Sequence, residues 1–165
     1  MTEVLKGRAV VTVPSRAALR DWLAAVEELL CWGWVDAVTQ KVDDDRSAHL
    51  IAPRKPTSAW SALNKRLVDQ ARASGAMTPA GEAAIAVAQG SGTWSFLDDV
   101  EAGIVPDDLA AVLGTLNAWN AWPRSVRRGT LEWIKTARTA PTRAKRIADV
   151  ADAASRSLRP SPFRR

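Results

Sequence analysis

The 165-residue chain has one cysteine, one histidine and no tyrosine. A lone cysteine excludes an internal disulfide, and one cysteine with one histidine is too few soft ligands for zinc. No metal and no cofactor is expected. No apolar run approaches the roughly 18 residues that span a bilayer, and the opening MTEVLKGRAVVTVPS carries too short an apolar stretch for a secretory leader. The chain therefore reads as cytoplasmic, without membrane insertion. The phosphate-binding glycine loops, paired cysteines, H-E-x-x-H and G-x-S-x-G are all missing, and with them the common nucleotide-dependent, redox, zinc-protease and serine-hydrolase signatures. The sequence leans away from an enzyme.

What is present is tryptophan, eight times, and a composition of 47% hydrophobic and 25% charged residues that belongs to an ordinary globular fold. The length suits one domain. Charge is uneven: residues 1–123 hold 11 Lys/Arg against 15 Asp/Glu, whereas residues 124–165 hold 12 against 3. A basic C-terminal quarter suggests an anionic partner such as nucleic acid, or pairing with the acidic remainder of the chain.

Patterning predicts a strand at RAVVTVP (8–14) and an amphipathic helix capped by Ser15, with Leu19, Trp22, Leu23, Val26, Leu29 and Leu30 on one face and Gly33 at its end. VDAVTQKV and SAHLIAPR, flanking Asp43 to Arg46, read as a β-hairpin. A three-residue loop would set Asp36 across from Arg54, and a two- or four-residue loop would set Val35 there instead. Ser58 is expected to cap the next helix, Thr78-Pro79 to start another ending near Gly90, and Pro106-Asp107-Asp108 a third stopped by Gly114. Ser125 and Pro141 open the last two. The expected fold is α+β, a mostly helical single domain over 1–158, with a small antiparallel sheet (N-terminal strand plus hairpin at 34–54), helices from about 58 onward, and 159–165 as a flexible basic tail.

Three constellations could carry chemistry. CWGWVD, Cys31 to Asp36, holds the cysteine between tryptophan-rich chain and the acidic Glu27 and Glu28, which favours a buried, unreactive thiol. APRKPTSAWSALNKR, 52–66, fixes an Arg-Lys pair between prolines ahead of a helix start; Arg54 with Trp60, Ser61 and Asn64 could cradle a carboxylate or phosphate, or else merely cap and pack. ARTAPTRAKRIADV, 137–150, supplies the basic patch Arg143, Lys145 and Arg146, with no recognition-helix setting for duplex DNA. His49 stands on a predicted strand with no sequence-local partner.

Together LLCWGWVDAV, APRKPTSAWSALN, SGAMTPAGEAAI, PDDLAAVL and ARTAPTRAKRIADV resemble, in order and spacing, the bacteriocin-protection family, also called YdeI/OmpD-associated, over about 28–153. Cys31, Gly33, Trp34 and Asp36 take the places of its first motif; Pro53, Arg54, Lys55, Ser58, Trp60, Ser61 and Asn64 those of its second. Met77, Pro79, Ala80 and Gly81 answer the third, and Thr142, Arg143, Arg146 and Ile147 the last. Trp32 stands for the usual phenylalanine, Ala52 for threonine and Arg138 for an expected lysine. The N-terminal region is shortened, since Trp22-Leu23 runs almost directly into the first motif, and the lost strand would leave a sheet edge inviting a homodimer. The resemblance implies protection against bacteriocins or antimicrobial peptides and fixes no chemistry. Three functions follow as expectations: a small-molecule or peptide ligand, anionic or aromatic, held by Trp34, Asp36, Arg54, Trp60, Ser61 and Asn64; an enzyme of antibiotic metabolism using Asp36 as acid or base; or binding of nucleic acid or an acidic partner through the basic patch.

Overall fold

A computed structural model describes residues 2–5, 8–13, 19–44, 46–114 and 117–164. The chain divides into two compact units, Met1–Phe96 and Leu97–Arg165. The fold is α+β, as the patterning predicts, with eight α-helices and one four-stranded antiparallel sheet among the described residues.

The first unit carries the sheet, in the order β1-β2-β4-β3: β1 (Thr2–Leu5), β2 (Arg8–Val13), β3 (Trp34–Lys41) and β4 (Ser47–Pro53). β1 is a strand the sequence reading did not anticipate. It pairs antiparallel with β2, from Thr2 opposite Val11 to Leu5 opposite Arg8. Ser15, expected as a helix cap, lies outside the described residues. Helix α1 (Leu19–Cys31) ends where Gly33 takes φ +73°, and Gly33 donates its amide to the Leu30 carbonyl at 3.0 Å. A Cβ at Gly33 would sit 3.1 Å from the Ala80 carbonyl oxygen, so both conformation and space call for glycine there. Cys31 is buried as expected, but Trp32 is 55% exposed. It has already left the helix, and its Nε1 donates to the exposed Glu28 carboxylate at 2.8 Å.

The hairpin register differs from every alternative weighed on the sequence. Lys41 pairs with Ser47, leaving residues 42–46 as the loop, and a β-bulge between Asp36 and Val38 shifts the pairing by one further residue. Asp36 therefore faces Ile51, not Arg54, whose amide instead donates to the Gly33 carbonyl at 2.9 Å. A bulge puts two residues opposite one, so it changes both register and the face a side chain takes.

Helix α2 (Ala62–Ser74) starts three residues later than expected, with Ser61 rather than Ser58 as its cap. The Ser58 amide closes a turn onto the Lys55 carbonyl and the Trp60 amide is tied to the Thr93 carbonyl, so the chain is held out of the helix until Ser61. Helix α3 (Pro79–Ser91) opens on Thr78 and Pro79 as predicted. Leu30, Trp60, Leu67, Val68, Ile85 and Ala88 form the core of this unit, with Val26, Met77 and Trp94 packed against it.

The second unit is helical: α4 (Asp98–Ala102), α5 (Asp107–Leu113), α6 (Asn117–Ala121), α7 (Arg124–Lys135) and α8 (Ala140–Ser155). Val100, Leu109, Trp119, Trp122, Leu131, Ile134 and Val150 are buried in it. The segment expected to be a loose basic tail contains one turn of 3-10 helix, Ser161–Phe163. Pro160 is buried, the Ser161 amide donates to Asp149 at 2.9 Å, and the Phe163 ring lies against Gly129. No described helix is long and apolar enough to cross a membrane.

Candidate functional site

Most residues singled out in the sequence turn out to hold the fold. Gly81, at the start of α3, lies against the end of α1: the Thr78 hydroxyl donates to the Cys31 carbonyl at 2.5 Å, and a Cβ on Gly81 would meet that same carbonyl oxygen at 2.4 Å. The C-x-G-W and M-x-P-A-G motifs are thus two sides of one helix joint. Ser61 and Asn64 form a reciprocal capping box, the Asn64 amide donating to Ser61 Oγ at 3.2 Å and the Ser61 amide to Asn64 Oδ1 at 3.3 Å, which satisfies free backbone donors of the first turn. In the second unit Arg143 makes a bidentate pair with Asp108, at 2.7 and 2.9 Å, and Arg146 donates to the Trp133 carbonyl while lying over its ring, 5.2 Å from the centroid. Of the expected basic patch, Lys145 is the exposed member with no such tie.

Arg54 is different. It follows β4 between Pro53 and Pro56, and its guanidinium carbon lies over Trp60, 3.8 Å from the ring centroid. One nitrogen, Nη2, donates to the Ala59 carbonyl at 2.7 Å. Nε and Nη1 are buried with no hydrogen-bond partner, although buried donors are nearly always satisfied. Burial pushes the Arg54 guanidinium down to about 10, because the desolvated charge has no carboxylate beside it; it stays a cation at neutral pH. A cavity of about 210 Å³ opens here, between Arg54, Lys55, Pro56 and Trp60 on one side and the Ala84, Val87 and Ala88 face of α3 on the other. Trp94 backs Trp60, ring centroids 5.0 Å apart. The Thr93 hydroxyl donates to the Pro56 carbonyl at 3.1 Å and ties that loop down.

The structure therefore brings together Arg54 and Trp60 and leaves Trp34, Asp36, Ser61 and Asn64 out of the cavity lining. Trp34 is half-buried and opposite Pro53. Asp36 instead joins a separate network. Its Oδ2 accepts from Trp22 Nε1 and from His49 Nδ1, both at 2.9 Å, while Oδ1 is buried without a partner. His49 is buried against the Trp22 ring at 4.3 Å. A carboxylate oxygen accepts, so Nδ1–H is the donor towards Asp36, and Nε2 lies 3.0 Å from the Ser47 hydroxyl. Thr39 Oγ1 lies 3.3 Å from Nδ1 as well. The sequence hid this set because it depends on the bulge, which turns Asp36 towards His49. Alternation alone placed Ser47 and His49 on one face.

Cys31 has no part in either site. Burial pushes its thiol up, and the nearby Glu28 and Glu27 charges add to the shift, so the thiolate is disfavoured.

Two family models match the chain. Residues 102–157, all within the second unit, match the family described as bacteriocin-protection, YdeI or OmpD-associated. Residues 10–84, within the first, match a domain of unknown function (DUF8412). The resemblance drawn over 28–153 is thus borne out for the PDDLAAVL and ARTAPTRAKRIADV segments, while the earlier motifs fall in the second model's range. No curated protein and no solved structure matches the chain.

Proposed function

For a chain whose residues 102–157 match the family described as bacteriocin-protection, YdeI or OmpD-associated, we propose a cytoplasmic ligand-binding role in resistance, the first unit holding a small anionic ligand against Arg54 and Trp60. The observation that carries this reading is the Arg54 guanidinium: desolvated, held over an indole, with two buried nitrogens missing acceptors in a side chain that lines a cavity. A carboxylate or phosphate oxygen supplies the missing acceptor with charge-assisted geometry, and an aromatic body gains area from Trp60. The cavity is smaller than those that hold drug-sized molecules, which favours a compact ligand or the terminal group of a peptide. Titration calorimetry with benzoate and with acetylated acidic dipeptides tests it. Binding that Arg54→Ala leaves intact would remove Arg54 from the site.

A second reading, an enzyme, has one specific support: Ser47, His49 and Asp36 are spaced as nucleophile, base and orienting acid, at 3.0 and 2.9 Å. In such a role Ser47 Oγ would attack an ester carbonyl as its proton passes to His49 Nε2. That proton would leave with the alcohol, and water would release the acid from the acyl-serine. The cavities lined by Arg54, by Arg127 and by Arg143 do not include these residues. Labelling by a fluorophosphonate probe that disappears in Ser47→Ala and His49→Ala would establish it, and unlabelled wild type would end it. Homodimerisation through an outer strand, β1 or β3, is part of the proposal, and a monomeric mass in light scattering at micromolar concentration counts against it.

A further inference from the structure

We propose that the second unit carries an anion site of its own, built on Arg124 and Arg127 of α7, for a small carboxylate or phosphate flanked by Trp119. A cavity of about 220 Å³ is lined by Arg124, Arg127, Arg128, Trp119, Leu131 and Glu101, among others. Arg124, Arg127 and Arg128 fall at i, i+3 and i+4, so the helix sets three guanidinium groups on one face, where like charges destabilise one another unless something neutralises them.

One of the three is already neutralised. Arg128 gives Nε and Nη2 to Glu101 Oε1 at 3.0 and 2.6 Å, and Nη1 to Glu132 Oε2 at 2.6 Å. This fork fixes Arg128 as a wall and engages the acid of the lining, Glu101, that would otherwise repel an anion. Arg124 and Arg127 have no acidic partner among the described residues, and Arg127 Nε is buried with no acceptor at all. Three arginines face two glutamates, so the surroundings keep a net positive charge. The start of α7 adds to it: Pro123 provides no side-chain cap, which leaves first-turn amides and the positive end of a 12-residue helix beside Arg124. The end of α4 at Ala102 and Gly103 turns carbonyls the other way, but that helix has five residues and its opposing field is small.

The walls complete the chemistry. Trp119 is buried and Leu131 is its apolar neighbour in the lining, giving a flat, dry flank next to two cations. A concave site of this size, with two free guanidinium groups, fits a compact oxyanion and not a nucleic-acid backbone, which needs a run of phosphate contacts. None of these residues belongs to the Arg54 cavity, so the two sites can be tested apart.

The test uses the full chain carrying Arg54→Ala, titrated by calorimetry with inorganic phosphate and, separately, with benzoate. Saturable binding is expected for at least one probe, weakened tenfold or more by Arg127→Leu or by Arg124→Ala and weakened by added salt. Preference for benzoate assigns the carboxylate class, and preference for phosphate the phosphoryl class. Arg127→Lys keeps the charge and is expected to retain binding within a few fold, which guards against a leucine variant that fails to fold. No saturable heat with either probe, or binding unchanged in Arg124→Ala and Arg127→Leu, overturns the site. Binding that disappears with Arg54→Ala alone would assign anion recognition to the first unit and overturn this inference while leaving that site standing.

Discussion

The Arg54 guanidinium lies 3.8 Å over the Trp60 ring, and the hydrogen bond from its Nη2 to the Ala59 carbonyl fixes it there without any carboxylate. Such an arrangement trades stability for an open valence. A buried charge lacking its partner is costly, whereas an apolar side chain of similar reach is not. Arg54→Met is therefore expected to leave unfolding free energy unchanged or raised by up to about 1 kcal/mol, after loss of one hydrogen bond and the ring contact, while abolishing binding of small anions. Urea denaturation paired with benzoate titration checks both halves. A variant destabilised by more than about 1 kcal/mol would make Arg54 a structural residue.

Two glycines of α3 are predicted to respond in opposite directions. At Gly81 a Cβ would meet the Cys31 carbonyl oxygen at 2.4 Å and Met77 Sδ at 2.6 Å, while at Gly90 it would meet nothing within 4 Å. The helix-propensity gain of about 0.5–1 kcal/mol is available at both. At Gly81 it is outweighed by forcing two helix ends apart, so Gly81→Ala is expected to destabilise by about 2–3 kcal/mol and Gly90→Ala to stabilise by about 0.5 kcal/mol. Thermal unfolding of the two single variants separates these outcomes.

The bidentate pair of Arg143 with Asp108 sets an acid dependence. The Arg143 hydrogen bonds hold the Asp108 carboxyl below its ordinary value, against an opposing effect of burial. A depressed acid contributes stability that is present above its unfolded value of about 3.9 and is lost as pH falls through the lower folded value. With the Asp108 side chain 46% exposed, the contribution is of the order of a few tenths to 1 kcal/mol. The loss of stability between pH 6 and pH 2.5 should be smaller in Asp108→Asn than in wild type, measured by urea midpoints. Equal losses would show that the pair is too well solvated to matter.

Cys31 is 1% exposed, and burial together with Glu28 and Glu27 disfavours its thiolate. Ellman's reagent at pH 8 should leave the native thiol unreacted over many minutes and titrate one equivalent in denaturant. Rapid native reaction would reopen a nucleophilic role for the thiol.

Helix ends were legible in the sequence wherever a residue and its immediate neighbours decide them. Gly33, Thr78-Pro79 and Pro106 mark the limits they appeared to mark, because left-handed φ, a fixed proline φ and a capping hydroxyl act within one turn. Ser58 misled for a tertiary reason: Trp60 is tied to Thr93 by its backbone, and that tie delays the helix to Ser61. The contact of Arg54 with Trp60, six residues apart, is nearly local, and the two residues were legible as members of one constellation. The partnership of Asp36 was not, since a five-residue loop and a bulge moved it from Arg54 to His49.

By itself, then, the sequence determined the α+β class, the helix boundaries that local caps and turns decide, and the residues rich enough in charge and aromatic surface to form sites. Only the tertiary structure decided which of them remain chemically unsatisfied. Ser61, Asn64, Gly81, Arg143 and Arg146 are engaged in caps, a helix joint and internal pairs, while Arg54 and Arg127 keep buried nitrogens without acceptors. The physical reason is that a side chain's type is written locally, but whether its hydrogen-bonding capacity is met depends on what distant chain packing brings within about 3 Å.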